Sequence, residues 1–171
     1  MKTVGLATVV GFLVTVGVPI PARASIADSP LPVLQAGVSM QLLYSVPGVM
    51  SDAGHSVATY FSFTSTSTSS MVVGVELFGA GGGSPLNNAA TDSVTLPADG
   101  TVLVGTIGPV GLSVDKVLTV ASGTLSKGSA RILSTSKSSI CTAFVADPQF
   151  NPPTSAWELT IVAKTKQKAA N

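Results

Sequence analysis

The chain is poor in charge and in the residues that most often build reactive or metal-binding sites. Of its 171 residues only 10% are charged, and it has one histidine, one cysteine and one tryptophan. Structural zinc takes four cysteine or histidine ligands, and catalytic zinc takes three protein ligands in which histidine is prominent. A chain whose only histidine is His55 cannot supply a two-histidine zinc site. We therefore predict no metal and no other cofactor.

Cys141 stands alone, so no disulfide can form within the chain and the fold must be held by packing. Two interpretations are open: Cys141 is buried as a small apolar residue, or it pairs with a cysteine of another chain. Free cysteine is among the most buried residue types, and the surrounding sequence ICTAF is largely apolar. We expect Cys141 to be buried.

The sequence contains no clear motif for catalysis by a nucleophilic side chain or by a pair of carboxylates. A nucleophilic serine or cysteine needs an adjacent base, and that base would have to be His55, which follows Gly54 and is expected to be exposed. The eight carboxylates are Asp28, Asp52, Glu76, Asp92, Asp99, Asp115, Asp147 and Glu158. A glycosidase needs two carboxylates on either side of the sugar bond, whereas most of these lie in predicted turns, where Asp binds local backbone. We assign no catalytic, cofactor-binding or metal-binding residue.

A glycine-rich segment, GAGGGS at 79–84, follows a predicted strand. It superficially resembles a phosphate-binding loop, but the Walker pattern ends in Lys followed by Ser or Thr and leads into a helix. Here the sequence continues PLNN, and no βαβ unit is evident. We interpret the segment as a flexible loop. It could still bind a ligand, because loops on rigid scaffolds often carry function.

Residues 1–24 have the organisation of a cleavable secretory signal peptide. Lys2 gives a positive start, the run from Val4 to Val18 has no charge, and Ala22-Arg23-Ala24 matches the A-x-A cleavage pattern, with Ala27 as the next candidate. The alternative is a membrane anchor, but the apolar run is shorter than the ~20 residues that a spanning helix needs. We expect a bacterial protein located in the periplasm or outside the cell, with no membrane span in the mature chain.

Removal of residues 1–24 would leave a nearly balanced charge, because Lys2 and Arg23 are lost and seven basic residues then face eight acidic ones. Nucleic-acid-binding domains usually have a basic stripe and a high pI, so we expect no nucleic-acid partner. The predicted C-terminal tail, 165–171, is basic. Its lysines would discourage an edge strand from pairing with another chain, or they could contact an acidic surface.

Residues 38–164 have the pattern of an all-β domain, which follows an extended N-terminal lead at 25–37. Polar and apolar residues alternate over His55–Thr64 and Met71–Phe78, as in strands with one buried face. Further strands are predicted at 38–46, 92–96, 100–107, 116–122, 128–135, 139–146 and 156–164, with 49–54 as a turn and Trp157 in the core or at its edge. Strands separated by turn residues at near-regular spacing favour a single antiparallel two-sheet sandwich of about seven to nine strands, Ig-like or related.

Several segments are similar to those of uncharacterised secreted bacterial β-sandwich proteins. They are YFSFT at 60–64, VGVELFG at 73–79, CTAFVAD at 141–147, PPTS at 152–155 and the KTKQK ending. The resemblance covers most of 55–168 and includes no catalytic residue. It implies an Ig-like sandwich and a location in the cell envelope. Chaperone–usher pilins are a poorer match, because they usually carry a cysteine pair.

These features favour a secreted or envelope-associated protein that binds or scaffolds without catalysis, with a cell-envelope protein or a polysaccharide as its partner. One alternative is a secreted hydrolase that uses an Asp/Glu pair. A second alternative is a self-assembling surface subunit.

The signal-peptide prediction can be checked by N-terminal sequencing of the exported protein. Cleavage after Ala24 should leave Ser25 as the first residue, because small residues at both positions of the A-x-A pattern fit the peptidase pocket. If the first residue is Asp28, the cleavage site lies after Ala27. An exported chain that retains residues 1–24 would contradict the prediction.

Overall fold

The computed structural model describes residues 30–121 and 123–164. These form one short 3₁₀ turn, Ala53–His55, and ten strands. The strands are β1 (Gln41–Asp52), β2 (Val57–Ser65), β3 (Met71–Gly79), β4 (Val94–Leu96), β5 (Thr101–Gly105), β6 (Lys116–Val117), β7 (Thr124–Ser134), β8 (Ser139–Ala146), β9 (Ala156–Glu158) and β10 (Val162–Ala163). The predicted signal peptide, residues 25–29 of the lead and the predicted tail lie outside the described residues. No helix in the described ranges is long and apolar enough to cross a membrane.

The ten strands join in one sheet that curls as a half-barrel. Its main path is β4-β3-β7-β1-β2-β5-β6, with β8 on the other edge of β2, β9 beyond β8, and β10 on β1. Every strand pairing is antiparallel except the short one between β5 and β6. The predicted all-β, antiparallel class is confirmed, although the described strands number ten rather than seven to nine.

Strand β1 is longer than predicted, because it continues through Pro47 and Gly48 to Asp52. Its pairing with β7 shifts register between Pro47 and Val49 and again between Val49 and Ser51. A register shift can accommodate Pro47, which has no N–H to donate to the neighbouring strand. It can also accommodate Gly48, whose φ is 82°. The predicted turn at 49–54 is therefore wrong over 49–52, and the chain turns only at 53–56.

The predicted strand 156–164 is two strands with different partners. β9 pairs with β8, whereas β10 pairs with β1. Between them, Leu159 and Ile161 are half-buried and pack against the core. Trp157 lies on β9 at the edge of the sheet, with 47% of its surface exposed. The predicted strand 116–122 is described only as far as residue 121, and within that part only Lys116–Val117 forms a strand.

The core lies on the concave side of the curled sheet and is built by alternate residues of its longer strands. Members include Phe61 and Phe63 of β2, Val73, Val75 and Leu77 of β3, Ala130 and Ile132 of β7, and Cys141 and Ala143 of β8. Because strands from both ends of the path contribute to one cluster, the curl brings their apolar faces together. Each large apolar side chain buried in this way contributes about 1.5–3 kcal/mol.

A smaller apolar cluster lies on the opposite face of β2. Ala58, Tyr60 and Ala146 are buried there. Leu103, Ile107, Val114 and Phe144 pack against them. Two of these, Ile107 and Val114, belong to the segment that connects β5 with β6, so this segment covers the start of β2.

An ion pair is buried on the face of β3 and β7 that points away from the core. Glu76 and Arg131 are cross-strand partners, and their side chains are only 4% and 1% exposed. Arg131 donates from Nε to Glu76 Oε2 at 2.8 Å, and its guanidinium carbon lies 5.1 Å from the centre of the Phe78 ring. Removing one partner of such a pair leaves a buried charge without its counter-ion.

Four strands that pair along one edge only are very short. β4 and β9 have three residues each, and β6 and β10 have two. Very short edge strands are one way in which proteins avoid pairing with other chains.

Replacement of Arg131 by Met should lower the free energy of unfolding by about 3–5 kcal/mol, because Glu76 would remain buried without its cation. Glu76→Met should have a similar effect, and the double variant should lose less than the sum of the two. Denaturant unfolding of the four proteins measures this coupling. As a control, His55→Ala breaks an exposed pair with Asp52 and should leave the unfolding free energy nearly unchanged, because solvent screens such a pair. If the loss of unfolding free energy in the double variant equals the sum of the two single losses, Glu76 and Arg131 are not a coupled buried pair.

Candidate functional site

Cys141 is buried, as predicted, with 7% of its surface exposed. Burial raises the pKa of its thiol to about 12, so the nucleophilic thiolate is scarce at neutral pH. The residue lines a shallow, open depression of about 390 Å³. The other lining residues are Thr142, Glu158, Leu159, Thr160 and Ile161. The inert thiol gives this depression no covalent chemistry.

His55 is exposed, as predicted, with a side-chain exposure of 84%. Its Nδ1 lies 2.7 Å from Asp52 Oδ2. The hydrogen bond from His55 lowers the pKa of Asp52. Asp52 also accepts a hydrogen bond from Gly54 N, which caps the 3₁₀ turn. His55 therefore belongs to a local turn structure, and its ring is bonded to a carboxylate rather than to a serine or cysteine.

The carboxylates are engaged separately rather than gathered. Asp92 accepts hydrogen bonds from Thr119 N and Asn87 Nδ2, and Asp115 accepts one from Leu103 N. Asp147 accepts hydrogen bonds from Gln149 N and Thr154 Oγ1. Glu76 accepts one from Arg131. Asp99 lies in the turn between β4 and β5 with φ of 50°, Glu158 lines the open depression, and Asp28 lies outside the described residues. Within 30–121 and 123–164, no group of three or more His, Cys, Asp or Glu could hold a metal ion.

The glycine-rich loop is tied to the edge of β3 by the residues that follow it. Leu86 N donates to Leu77 O at 2.7 Å. The Asn87 side chain accepts from Leu77 N at 2.8 Å and donates to Val75 O at 2.9 Å, as a neighbouring strand would. Sequence analysis missed this role of Asn87, because nothing in the sequence distinguishes it from Asn88. The bonds of Asn87 give the loop a structural function.

Three connecting segments meet where β1, β5 and β8 end, and we call them the loop cluster: residues 53–56, 106–115 and 147–155. These strands end together because β1, β5 and β8 all run antiparallel to β2. Val110 N donates to Pro148 O at 2.7 Å, and Gln149 Nε2 donates to Ala53 O at 3.5 Å. A Cβ on Gly111 would collide with the Asn151 side chain. The segments are thus in direct contact with one another.

Asp147 holds the segment 147–155 in place. It is 8% exposed, and its carboxylate accepts from Gln149 N at 2.9 Å and from Thr154 Oγ1 at 3.1 Å. Its own N–H donates to Ser155 O at 3.2 Å. Because both ends of the segment are bonded to one residue, the loop between them is fixed relative to β8.

Tyr60 forms the floor of the loop cluster. It is fully buried, and its ring stacks on Phe144 with 5.4 Å between ring centres. Gly105 makes room for the ring, since a Cβ there would lie 2.8 Å from Tyr60 Cδ1. Within the described ranges, the hydroxyl has no hydrogen-bond partner. Burial, and secondarily the negative charge of Asp147, raise the pKa of Tyr60 to about 12.

The outer surface of the loop cluster carries two exposed apolar side chains and few charged ones. Val110 is 63% exposed and Phe150 is 52% exposed. The three segments contain only three ionisable side chains, His55, Asp115 and Asp147, and each of these is hydrogen-bonded. Sequence analysis missed Val110 and Phe150; the available signal was an isolated apolar residue within a turn-rich segment. This surface can bind a partner by apolar contact.

Comparisons of the chain with protein-family models, with curated proteins and with solved structures gave no match. The similarity to secreted bacterial β-sandwich proteins therefore stays a prediction. The loop cluster is the feature of the described residues that best supports a function.

Removal of the Tyr60 hydroxyl should not destabilise the protein, because this buried group has no hydrogen-bond partner among residues 30–121 and 123–164. Tyr44 provides the matched control: its hydroxyl donates to Ser139 O at 3.0 Å, so Tyr44→Phe should cost about 1 kcal/mol. Denaturant unfolding at pH 7 measures both variants.

Tyr60→Phe should also differ from the parent protein in how its stability depends on pH. Because the pKa of Tyr60 is about 12 in the folded protein and near 10 in the unfolded chain, the folded state keeps a proton that the unfolded state loses between these values. The unfolding free energy of the parent protein should therefore fall more steeply between pH 10 and 12 than that of Tyr60→Phe. Parallel curves, or a large loss in Tyr60→Phe at pH 7, would contradict the assigned environment.

Proposed function

We propose that this protein is a secreted or envelope-associated β-sandwich protein that binds a partner through its loop cluster and does not act as an enzyme. The observation that carries the proposal is the pair of exposed apolar side chains, Val110 and Phe150, on hydrogen-bonded loops. Fixed loops on a β scaffold are frequent binding sites, because little ordering is needed on association. A cell-envelope protein or a polysaccharide is the proposed partner.

We interpret the curled sheet as the two facing layers of an Ig-like sandwich. One layer would contain β4, β3, β7, β1 and β10, and the other β6, β5, β2, β8 and β9. The layers meet where β1 pairs with β2, and that pairing covers only Ser51–Ala58 and Asp52–Val57. Core residues such as Val75 and Phe61 come from different layers, which supports this interpretation.

The arrangement of carboxylates supports a binding role over hydrolysis. Hydrolysis of a sugar bond needs two carboxylates that face the same bond. Asp115 and Asp147, the two carboxylates of the loop cluster, instead accept hydrogen bonds from Leu103 N and from residues of segment 147–155. The short edge strands likewise give little support to a surface subunit that assembles by strand pairing.

Phe150→Ala should weaken binding of the purified exported protein to sedimented bacterial envelope fragments by about tenfold or more, since truncation of a central aromatic contact costs about 2 kcal/mol. Ile140→Ala is the matched control: Ile140 is 55% exposed, close to Phe150, but it lies at the opposite end of β8. Co-sedimentation at several protein concentrations measures the affinity.

Digestion of the fragments with a protease separates the two partner classes. Loss of binding after digestion would identify a protein, and retained binding would identify a polysaccharide. Equal binding by the Phe150 and Ile140 variants, or no binding by the parent protein, would overturn the proposed function.

A further inference from the structure

The depression beside Cys141 opens where the chain leaves β8 for β1. β9 pairs with β8 as far as Glu158, and Leu159 N continues the ladder by donating to Ala143 O at 2.8 Å. The next step of the same ladder would place Ile161 opposite Cys141. The chain instead crosses to β1, where β10 pairs, so a gap opens along β8. We call this gap the edge depression, and it is lined by Cys141, Thr142 and residues 158–161.

The backbone of Cys141 points into the edge depression. Alternate residues of a strand direct their N–H and C=O groups to the same neighbour. Ala143 O accepts from Leu159 N, and Ser139 O accepts from the Tyr44 hydroxyl at 3.0 Å, so both carbonyls lie on the edge of β8 that faces away from β2. Cys141 follows the same alternation between these two residues. Its backbone therefore offers the gap one hydrogen-bond donor and one acceptor.

The floor of the edge depression is apolar. Leu159 and Ile161 are half-buried and pack against the core, to which Cys141 also belongs. Ligand sites are typically lined by apolar side chains together with a few well-placed polar groups. This floor suits a small apolar group such as a methyl.

The rim of the edge depression is polar. Thr142, Glu158 and Thr160 line it and are exposed. Glu158 pairs with Phe144, which lies two residues along β8 from Thr142, so Thr142 and Glu158 lie on the same face of the sheet. A hydroxyl both donates and accepts hydrogen bonds, and a carboxylate accepts them. With no basic side chain among its lining residues, the rim suits an uncharged ligand with several hydroxyls.

We propose that the edge depression binds one N-acetylated sugar unit of a polysaccharide. The carbonyl of the acetamido group accepts from Cys141 N. In a trans amide the N–H points the opposite way, so it donates across the gap to the Thr160 hydroxyl. The acetamido methyl lies on the apolar floor, and ring hydroxyls bond to Thr142 and Glu158.

The dimensions of the site favour a single sugar unit over an extended peptide. Its volume of about 390 Å³ lies near the lower end of the range of about 300–1,000 Å³ for ligand sites. A peptide that adds to a strand edge makes several successive backbone bonds, whereas Ser139 O and Ala143 O are already bonded on either side of Cys141. The edge depression shares no residue with the loop cluster, so this proposal does not depend on the proposed function.

Titration of the purified full chain with diacetylchitobiose and with cellobiose tests the proposal. The two disaccharides have the same linkage, but only diacetylchitobiose carries acetamido groups. In NMR spectra, diacetylchitobiose should shift the backbone amide signal of Cys141 and bind about tenfold more tightly than cellobiose, because only the acetamido group can use both Cys141 N and the apolar floor.

Two variants with matched controls locate the binding. Glu158→Gln and Thr142→Val should each weaken binding of diacetylchitobiose by about fivefold, because each removes a rim group that bonds to sugar hydroxyls. Asp99→Asn and Thr95→Val make the same chemical changes at exposed positions outside the edge depression and should leave the affinity unchanged.

Equal affinity for the two disaccharides would overturn the assignment to an N-acetylated sugar. Unchanged affinity in both rim variants, or amide shifts confined to residues outside 139–143 and 158–161, would overturn the location. The capped peptide acetyl-Ala-Ala-Ala-methylamide provides the last comparison. If it binds more tightly than diacetylchitobiose and shifts the same amide signals, the occupant is a peptide and the sugar assignment is wrong.

Discussion

The pairing of β2 along both of its edges is the interaction on which the rest of the structure depends. Residues Tyr60–Thr64 pair with β5, and Ala58–Ser65 pair with β8. Its two faces are also covered: Phe61 points into the core, and Tyr60 supports the loop cluster. A register slip of one residue would exchange these faces, so the same pairing fixes both the core and the floor of the candidate site.

Thr59 connects this central strand to the corner of the sheet. Its hydroxyl donates to Met50 O at 2.8 Å and accepts from Met50 N at 2.9 Å. Its backbone N–H donates to Thr106 Oγ1, and Thr106 N donates back to Thr59 O. Fully satisfied buried networks of this kind define one geometry. The first residue of segment 106–115 is therefore positioned by β1 and β2 together, which makes the loop cluster an extension of the sheet.

Sequence patterns located the strands that keep one buried face along their length. They failed where a segment changes from one neighbouring strand to another. The predicted strand 139–146 has the bounds of β8. β2 differs from its prediction by two residues at its start and one at its end, and β3 differs by one residue at its end only. Periodicity reports which face of a strand is buried, but it does not identify the neighbouring strand, so 156–164 was predicted as one strand. For the candidate site, the exposure of His55 and the burial of Cys141 were predicted. The exposed Val110 and Phe150 were not, because their positions depend on contacts between distant loops.

The brevity of the outermost strands has a consequence for the protein's colloidal behaviour. Apolar residues make up 45% of the chain, and charges that would keep molecules apart are scarce. Fibril growth by the cross-β route needs a segment of about six residues that offers free backbone groups to the next molecule. β4, β6, β9 and β10 offer two or three each. The short strands at these sheet borders therefore disfavour cross-β growth, a protection that many other proteins obtain from surface charge.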